Sequence, residues 1–332
     1  MTKEETKIIK GVAILLMLIH HLWGFPDRIA ATIFNDNASG IVFYCIGLFG
    51  YYCVSLFSFS SGYAWGASDN SDNTVKKILS RISALYINYW RVFLVFIPIA
   101  FIFFGSQIAY CKQADICDKY SNFRLGEFLM NLSGISCTYN NEWWYILWYV
   151  IMIICAPLLY KIVMKIPWWL SSALCILLPQ FFSSFFIGMI FAYHNLFAKL
   201  SQKLKPSLFF DIAVLVILIP TKSLLWYNQV INGISDILLV PLLIYVCIDL
   251  IKRSKTASRL FAELGERSTT MWLTHTFYIY YFGAAARIIV FSKSAILSLI
   301  MFVIITYCIA RILDTIWNKI IKRKEVIQKE TN

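Results

Sequence analysis

Apolar residues in this chain arrive in long blocks broken by short polar or turn-forming stretches. Ten blocks read as helices: residues 8–25, 40–66, 84–106, 143–164, 167–181, 182–199, 207–226, 234–251, 268–286 and 292–314. A hydrocarbon layer of about 30 Å takes roughly 20 helical residues, and only a helix satisfies its own backbone donors and acceptors there. The pattern predicts an all-α polytopic integral membrane protein with about ten transmembrane helices. The least regular part surrounds Pro179-Gln180, where a turn between two short helices and a kink in one long tilted helix are both open; the kink gives an odd number of spans. Residues 1–320 read as one transmembrane domain. Within it, 107–142 is the longest polar interruption and reads as an external loop or small cap, while 321–332 reads as a basic cytoplasmic tail.

Composition excludes a water-soluble fold. Of 332 residues, 59% are hydrophobic and only 14% charged, against roughly 25% charged in soluble domains. The formal charge of +12, from 30 basic and 18 acidic residues, fits cytoplasmic loops rich in Lys and Arg better than a nucleic-acid partner, and none is expected. With the N-terminus placed in the cytoplasm, 22 of the 30 basic residues fall on that side, seven fall outside and Arg91 sits within a span. This asymmetry predicts both termini inside. No small-x-small cleavage site follows the first apolar run, so it reads as a retained helix. Three of the nine cysteines, Cys111, Cys117 and Cys137, lie in the external loop; one disulfide with one free thiol, and three free thiols, are both open. The histidines and acidic residues show no metal-ligand spacing, and no metal is expected.

Ionisable groups within spans carry the candidate chemistry, because lipid makes them costly. Lys10 and His21 are eleven residues apart, which on a helix returns them to within about 20° of one face and separates them by roughly 16 Å. Imidazole titrates near neutrality and can take a proton from a hydroxyl and return it to a leaving thiol, so His21 is the candidate general base. Hydrogen bonding of His20 and His21 to neighbouring helices is the competing, structural reading. Phe57 to Gly66 is rich in small residues, with Ser61 and Tyr63 as pocket candidates beside a plain packing role. Arg81 and Arg91 can hold an anionic donor through paired guanidinium donors, and Arg91 can equally snorkel or pair with an internal carboxylate. Glu142 precedes an aromatic cluster that includes Trp144 and can orient an imidazole or bind a sugar. Leu264-Gly265 reads as a cytoplasmic turn, with Ser268 or Thr269 capping a helix that carries His275 two turns in.

Together these segments resemble the membrane-bound acyltransferase 3 family of bacterial and animal O-acyltransferases. Lys10 through His21 is similar to its first-helix pattern of a basic residue, ten residues and a histidine, with Lys where the family usually has Arg. Val54-Ser55-Leu56-Phe57 through Ser61-Gly62-Tyr63 resembles its second-helix segment, with Ser55 where many members carry Asp. Leu85-Tyr86-Ile87-Asn88-Tyr89-Trp90 resembles a Leu-Tyr-Pro-x-Tyr-Trp stretch without the proline. Trp144-Tyr145-Ile146-Leu147 through Ala156-Pro157-Leu158-Leu159 and Leu264-Gly265 through Trp272-Leu273-Thr274-His275 match two further segments in order.

The resemblance implies transfer of an acyl group, usually acetyl from cytoplasmic acetyl-CoA, to a carbohydrate hydroxyl. In this reading His21 and Glu142 are catalytic, and Lys10, Lys76, Lys77, Arg81 and Arg91 bind the donor. His20, Ser61, Tyr63, Trp144 and His275 bind substrate. General-base action and a transient acyl-histidine are both open for His21. The expected acceptor is a surface polysaccharide or its lipid-linked precursor, and the expected location is a bacterial plasma (inner) membrane. Many members carry a fused hydrolase-like domain; the 18 residues after position 314 leave no room for one, so direct transfer or a separate glycan-assembly partner is expected. A flippase or carrier for a lipid-linked sugar is the alternative, since helices around a polar aromatic cavity also suit transport. The orientation is checked by a membrane-impermeant lysine reagent on sealed vesicles: Lys252 and Lys322 should react only from the cytoplasmic face.

Overall fold

The computed structural model describes residues 1–25, 28, 38–68, 74–105, 119–204 and 206–330. These hold α-helices, short 3-10 turns, one π-helical segment and no strand. In chain order the helices are α1 (Lys3–Trp23), α2 (Ala38–Phe49), α3 (Tyr52–Gly66), α4 (Thr74–Phe103), α5 (Leu125–Leu132), α6 (Trp144–Lys165) and α7 (Trp168–Leu174). They continue with α8 (Gln180–Tyr193), α9 (Leu196–Lys203), α10 (Leu208–Leu225), α11 (Gln229–Lys252), α12 (Lys255–Thr276), α13 (Gly283–Val290) and α14 (Ala295–Glu330). The π segment, Phe277–Tyr281, extends α12.

Each of the ten hydropathy blocks falls on helical chain, but by length and composition seven described helices can cross a membrane, or eight if the bent pair α8 and α9 is one span. Two local causes separate this from the expected ten. At Pro179 the chain is extended before α8 begins, so the turn holds rather than the kink, and the block before it is only the short apolar stretch Trp168–Leu177. The ninth block does not start at a turn: α12 begins at Lys255, capped by Ser254, and its first half is too charged to look like a span. Gly265, Ser268 and Thr269 lie inside this helix, with Ser268 donating to the Gly265 carbonyl at 2.8 Å. The α8–α9 bend of 74° turns on Asn195, whose φ of 52° is a left-handed conformation that Asn tolerates.

Two glycine crossings set the bundle. A Cβ on Gly265 would lie 1.8 Å from the Lys7 carbonyl oxygen, and one on Gly11 would lie 2.0 Å from that of Phe261, so α1 and α12 touch backbone to backbone. The same holds for α3 and α8, where Gly62 meets Phe185 at 1.8 Å and Gly188 meets Phe59 at 2.2 Å. Lipid tails are as apolar as leucine, so helix association there depends on close packing of this kind and on buried polar contacts. α1, which is central, keeps 13 of its 21 residues buried. It starts on a capping box in which Thr2 and Glu5 satisfy each other's backbone amides.

The expected external cap is partly described. Cys111 and Cys117 lie outside the described residues, and no disulfide is present among those described. α5 is docked by the aromatic motif of α4. Tyr86 and Tyr89 hydroxyls and the Trp90 indole N–H donate to the carbonyls of Ser133, Asn131 and Leu132, at 2.7, 2.5 and 2.9 Å. They cap the carbonyl end of α5, where helix carbonyls lack intrahelical partners, although Asn131 O also accepts from Gly134 N at 2.8 Å.

Lys222 and Asp236 form an ion pair at 2.7 Å with both side chains fully buried. Ser55 and the Gln180 amide each donate to the other carboxylate oxygen at 2.6 Å, and the ammonium sits 4.1 Å from the Tyr52 ring centre. Removing one partner of such a pair typically costs about 3–5 kcal/mol, because the other charge stays buried. Lys222→Met should therefore sharply lower the thermal unfolding midpoint in detergent. Lys222→Met/Asp236→Asn should recover most of it, since no charge is stranded and an amide oxygen still accepts from Ser55 and Gln180.

Candidate active site

A cavity of about 540 Å³ runs along α1 and is lined by both Lys10 and His21. Their eleven-residue spacing places the ammonium and the imidazole at separate levels of one space. At the Lys10 level the cavity is also lined by Arg81, whose guanidinium donates to the Ala64 carbonyl at 3.0 Å. The two cations repel one another, and a site of that kind favours a multivalent anion.

At the His21 level the arrangement is tighter. His21 Nε2 lies 3.7 Å from Glu142 Oε2, and Arg28 Nη1 lies 3.8 Å from Glu142 Oε1. Tyr280, from the π segment, donates its hydroxyl proton to the His21 carbonyl at 2.7 Å, and its oxygen lies 3.2 Å from His21 Nδ1. With that proton committed, the oxygen accepts from Nδ1–H. In the neutral ring this leaves the lone pair on Nε2, on the Glu142 side. At 3.7 Å the two acceptors do not bond each other. A hydroxyl donor can bond either, and a proton taken by Nε2 would create an imidazolium facing a carboxylate.

Glu142 is placed by a latch between distant segments. Its amide donates to Asn140 Oδ1 at 3.1 Å, and the Asn140 side chain exchanges hydrogen bonds with Thr276. Trp143 Nε1 donates to the Leu273 carbonyl at 3.0 Å, and Asn141 N donates to the Tyr281 hydroxyl at 3.2 Å. Asn131 Oδ1 accepts from Tyr139 N at 3.1 Å, so the dock of α5 on the Tyr86-to-Trp90 motif carries through to this turn. A π segment leaves helical register by one residue, and such bulges recur at functional sites.

The other expected site residues divide. His20, Ser61 and Trp144 line the cavity. His20 donates from Nδ1 to the Gly47 carbonyl at 2.8 Å and is packed by Phe25, Tyr51 and Trp226. Tyr63 does not line it: two residues from Ser61, it points about 200° around the helix and stacks on Phe59. Arg91 does not line it either, but pairs with Asp314 and Thr270, the internal-carboxylate alternative. Lys76 is exposed, and Lys77 sits 4.2 Å from the Trp65 ring centre, one turn from Arg81. His275 lies behind His21, ring centres 4.7 Å apart, with Nδ1 bonded to the Trp272 carbonyl at 2.6 Å. Arg28, Tyr280, Tyr51 and Trp226 escaped the sequence reading. Arg28 counted only toward topology, and the aromatics are indistinguishable from the many others in the spans. Among the described residues, no three His, Cys, Asp or Glu gather as metal ligands.

The family model described as an acyltransferase domain, of the acyltransferase 3 type, matches residues 5–314. The chain belongs to the acyltransferase 3 family. No curated protein and no solved structure matches it. The family match spans every element of the cavity, so this membrane acyltransferase has Lys10, His21, Glu142 and Tyr280 within the matched region. Tyr280→Phe removes the acceptor for Nδ1–H and frees the other tautomer. The expected result is a roughly tenfold lower kcat with an unchanged KM for the acyl donor, about the value of one buried hydrogen bond.

Proposed function

We propose that this acyltransferase moves an acetyl group from acetyl-CoA to a hydroxyl of a surface polysaccharide or its lipid-linked precursor, in a bacterial inner membrane. The observation that carries the reading is one cavity with a cationic level at Lys10 and Arg81 and a base level at His21 and Glu142. The phosphates of CoA suit the cations, and the pantetheine arm is long enough to carry a thioester from there toward His21. Lys77 lies near enough to Arg81 to add to the cationic end, whereas Arg91 is withdrawn from this role by Asp314.

In this mechanism the acceptor hydroxyl gives its proton to His21 Nε2 as its oxygen attacks the thioester carbonyl carbon. The new C–O bond forms, the C–S bond breaks, and the imidazolium returns the proton to the departing CoA thiolate. Tyr280 holds the productive tautomer, and Glu142 stabilises the imidazolium while Arg28 holds Glu142. His20 stands between His21 and the Tyr51 and Trp226 rings, Trp144 lines the cavity, and His275 supports the His21 ring. The family membership weighs against the carrier reading.

Purified protein in lipid, supplied with labelled acetyl-CoA and membranes holding the acceptor, tests this. His21→Ala should cut transfer by about 10²-fold or more, and His20→Ala by much less, because only His21 meets Glu142. Equal loss would refute the assignment. Lys10→Ala should raise the KM for acetyl-CoA with kcat largely kept, and Lys10→Arg should keep both.

A further inference from the structure

A second cavity, of about 430 Å³, adjoins the first and shares two walls with it, Tyr51 and Trp226. Their rings meet edge to face at 4.9 Å and form a thin partition. His20 packs against both from the first cavity, at 5.4 and 5.7 Å, and touches His21 edge on at 5.4 Å. The partition is thus one side chain from the proposed base. The volume is in the range of small-ligand sites.

The two cavities differ in charge. The first is lined by Lys10, Arg28, Arg81 and Glu142, while no charged side chain lines the second among the described residues. Its polar character comes mainly from two amides. Gln180 spends its NH₂ group on Asp236, which fixes the amide and leaves its carbonyl oxygen as an acceptor. Asn232 is 2% exposed, and its Oδ1 has no hydrogen-bond partner. Gly233 lets α11 approach α8 closely at this wall, since a Cβ there would come within 3.3 Å of Gln180. A buried acceptor without a donor is costly, so its persistence points to a ligand that supplies one. Amide acceptors between aromatic walls, without charge, match a molecule with many hydroxyl donors and apolar C–H faces.

We propose that this second cavity is the acceptor subsite. It takes an uncharged glycosyl unit, whose hydroxyl crosses the Tyr51–Trp226 partition to reach His21, while the acyl donor occupies the cationic cavity. The assignment rests on the acetyl-transfer reading above and adds where the sugar sits and that the unit is neutral.

Membranes from cells that make the full chain in their own envelope contain its acceptor, and labelled acetyl-CoA is the probe. Two variants are compared with wild type: Asn232→Leu, which removes the acceptor, and Val230→Trp, which fills the cavity from a rim position that is 72% exposed and so leaves the core intact. Both should lower label in alkali-labile ester roughly tenfold or more, with the KM for acetyl-CoA changed by less than about twofold. Undiminished transfer in Val230→Trp overturns the subsite, as does a donor KM that rises in step with the loss. Wild-type membranes that transfer no label overturn the acetyl-donor reading and this assignment with it, whereas wild-type transfer that survives both substitutions sinks the subsite alone.

Discussion

Backbone contact between α1 and α12 is the constraint on which the site depends. In lipid, association gains little from burying apolar surface, so helices that must hold a fixed register need atoms that interlock. Gly11 and Gly265 allow that contact at the Phe261 and Lys7 carbonyls. It brings the helix carrying Lys10 and His21 against the one that leads into Tyr280. The matching crossing of α3 on α8 through Gly62 and Gly188 sets the opposite wall, and Ser55 and Gln180 tie these same helices to the buried Lys222–Asp236 pair.

On that frame the proposed chemistry draws on three places. α1 supplies His21, a turn ahead of α6 supplies Glu142, and the π segment supplies Tyr280. None is held by its own helix alone. Tyr280 sets which imidazole nitrogen carries the proton, and the latch from Asn140 to Trp143 sets the carboxylate distance. In a low-dielectric interior such fixed partners act strongly, and a misplaced one is equally costly. The Leu85-to-Trp90 motif has two roles in this scheme: Leu85 and Asn88 line the cavity, while its tyrosines and tryptophan hold the loop that positions Glu142.

Much of the cavity was legible because helical geometry is periodic. Lys10 and His21 share a face by counting alone, and both line the cavity. The same counting separates Ser61, which lines the cavity, from Tyr63 two residues on, which does not. Gly265 misled for a physical reason: glycine marks turns and close approaches alike, and only the neighbour at 1.8 Å distinguishes them. Arg91 looked like a donor ligand because a cation in a span needs an anion; that anion is Asp314, 223 residues later.

Hydropathy and charge by themselves determined the all-α membrane architecture, since a long apolar block in lipid has few ways to satisfy its backbone. Local spacing determined which face of the first helix lines the cavity, and the ordered motifs determined the acyltransferase 3 resemblance. Tertiary structure alone decided which cations face the cavity, which nitrogen of His21 is free, and that Tyr51 and Trp226 divide two cavities of different charge. Each of those depends on partners far apart along the chain, whose meeting follows from how helices cross and not from any pattern within one of them.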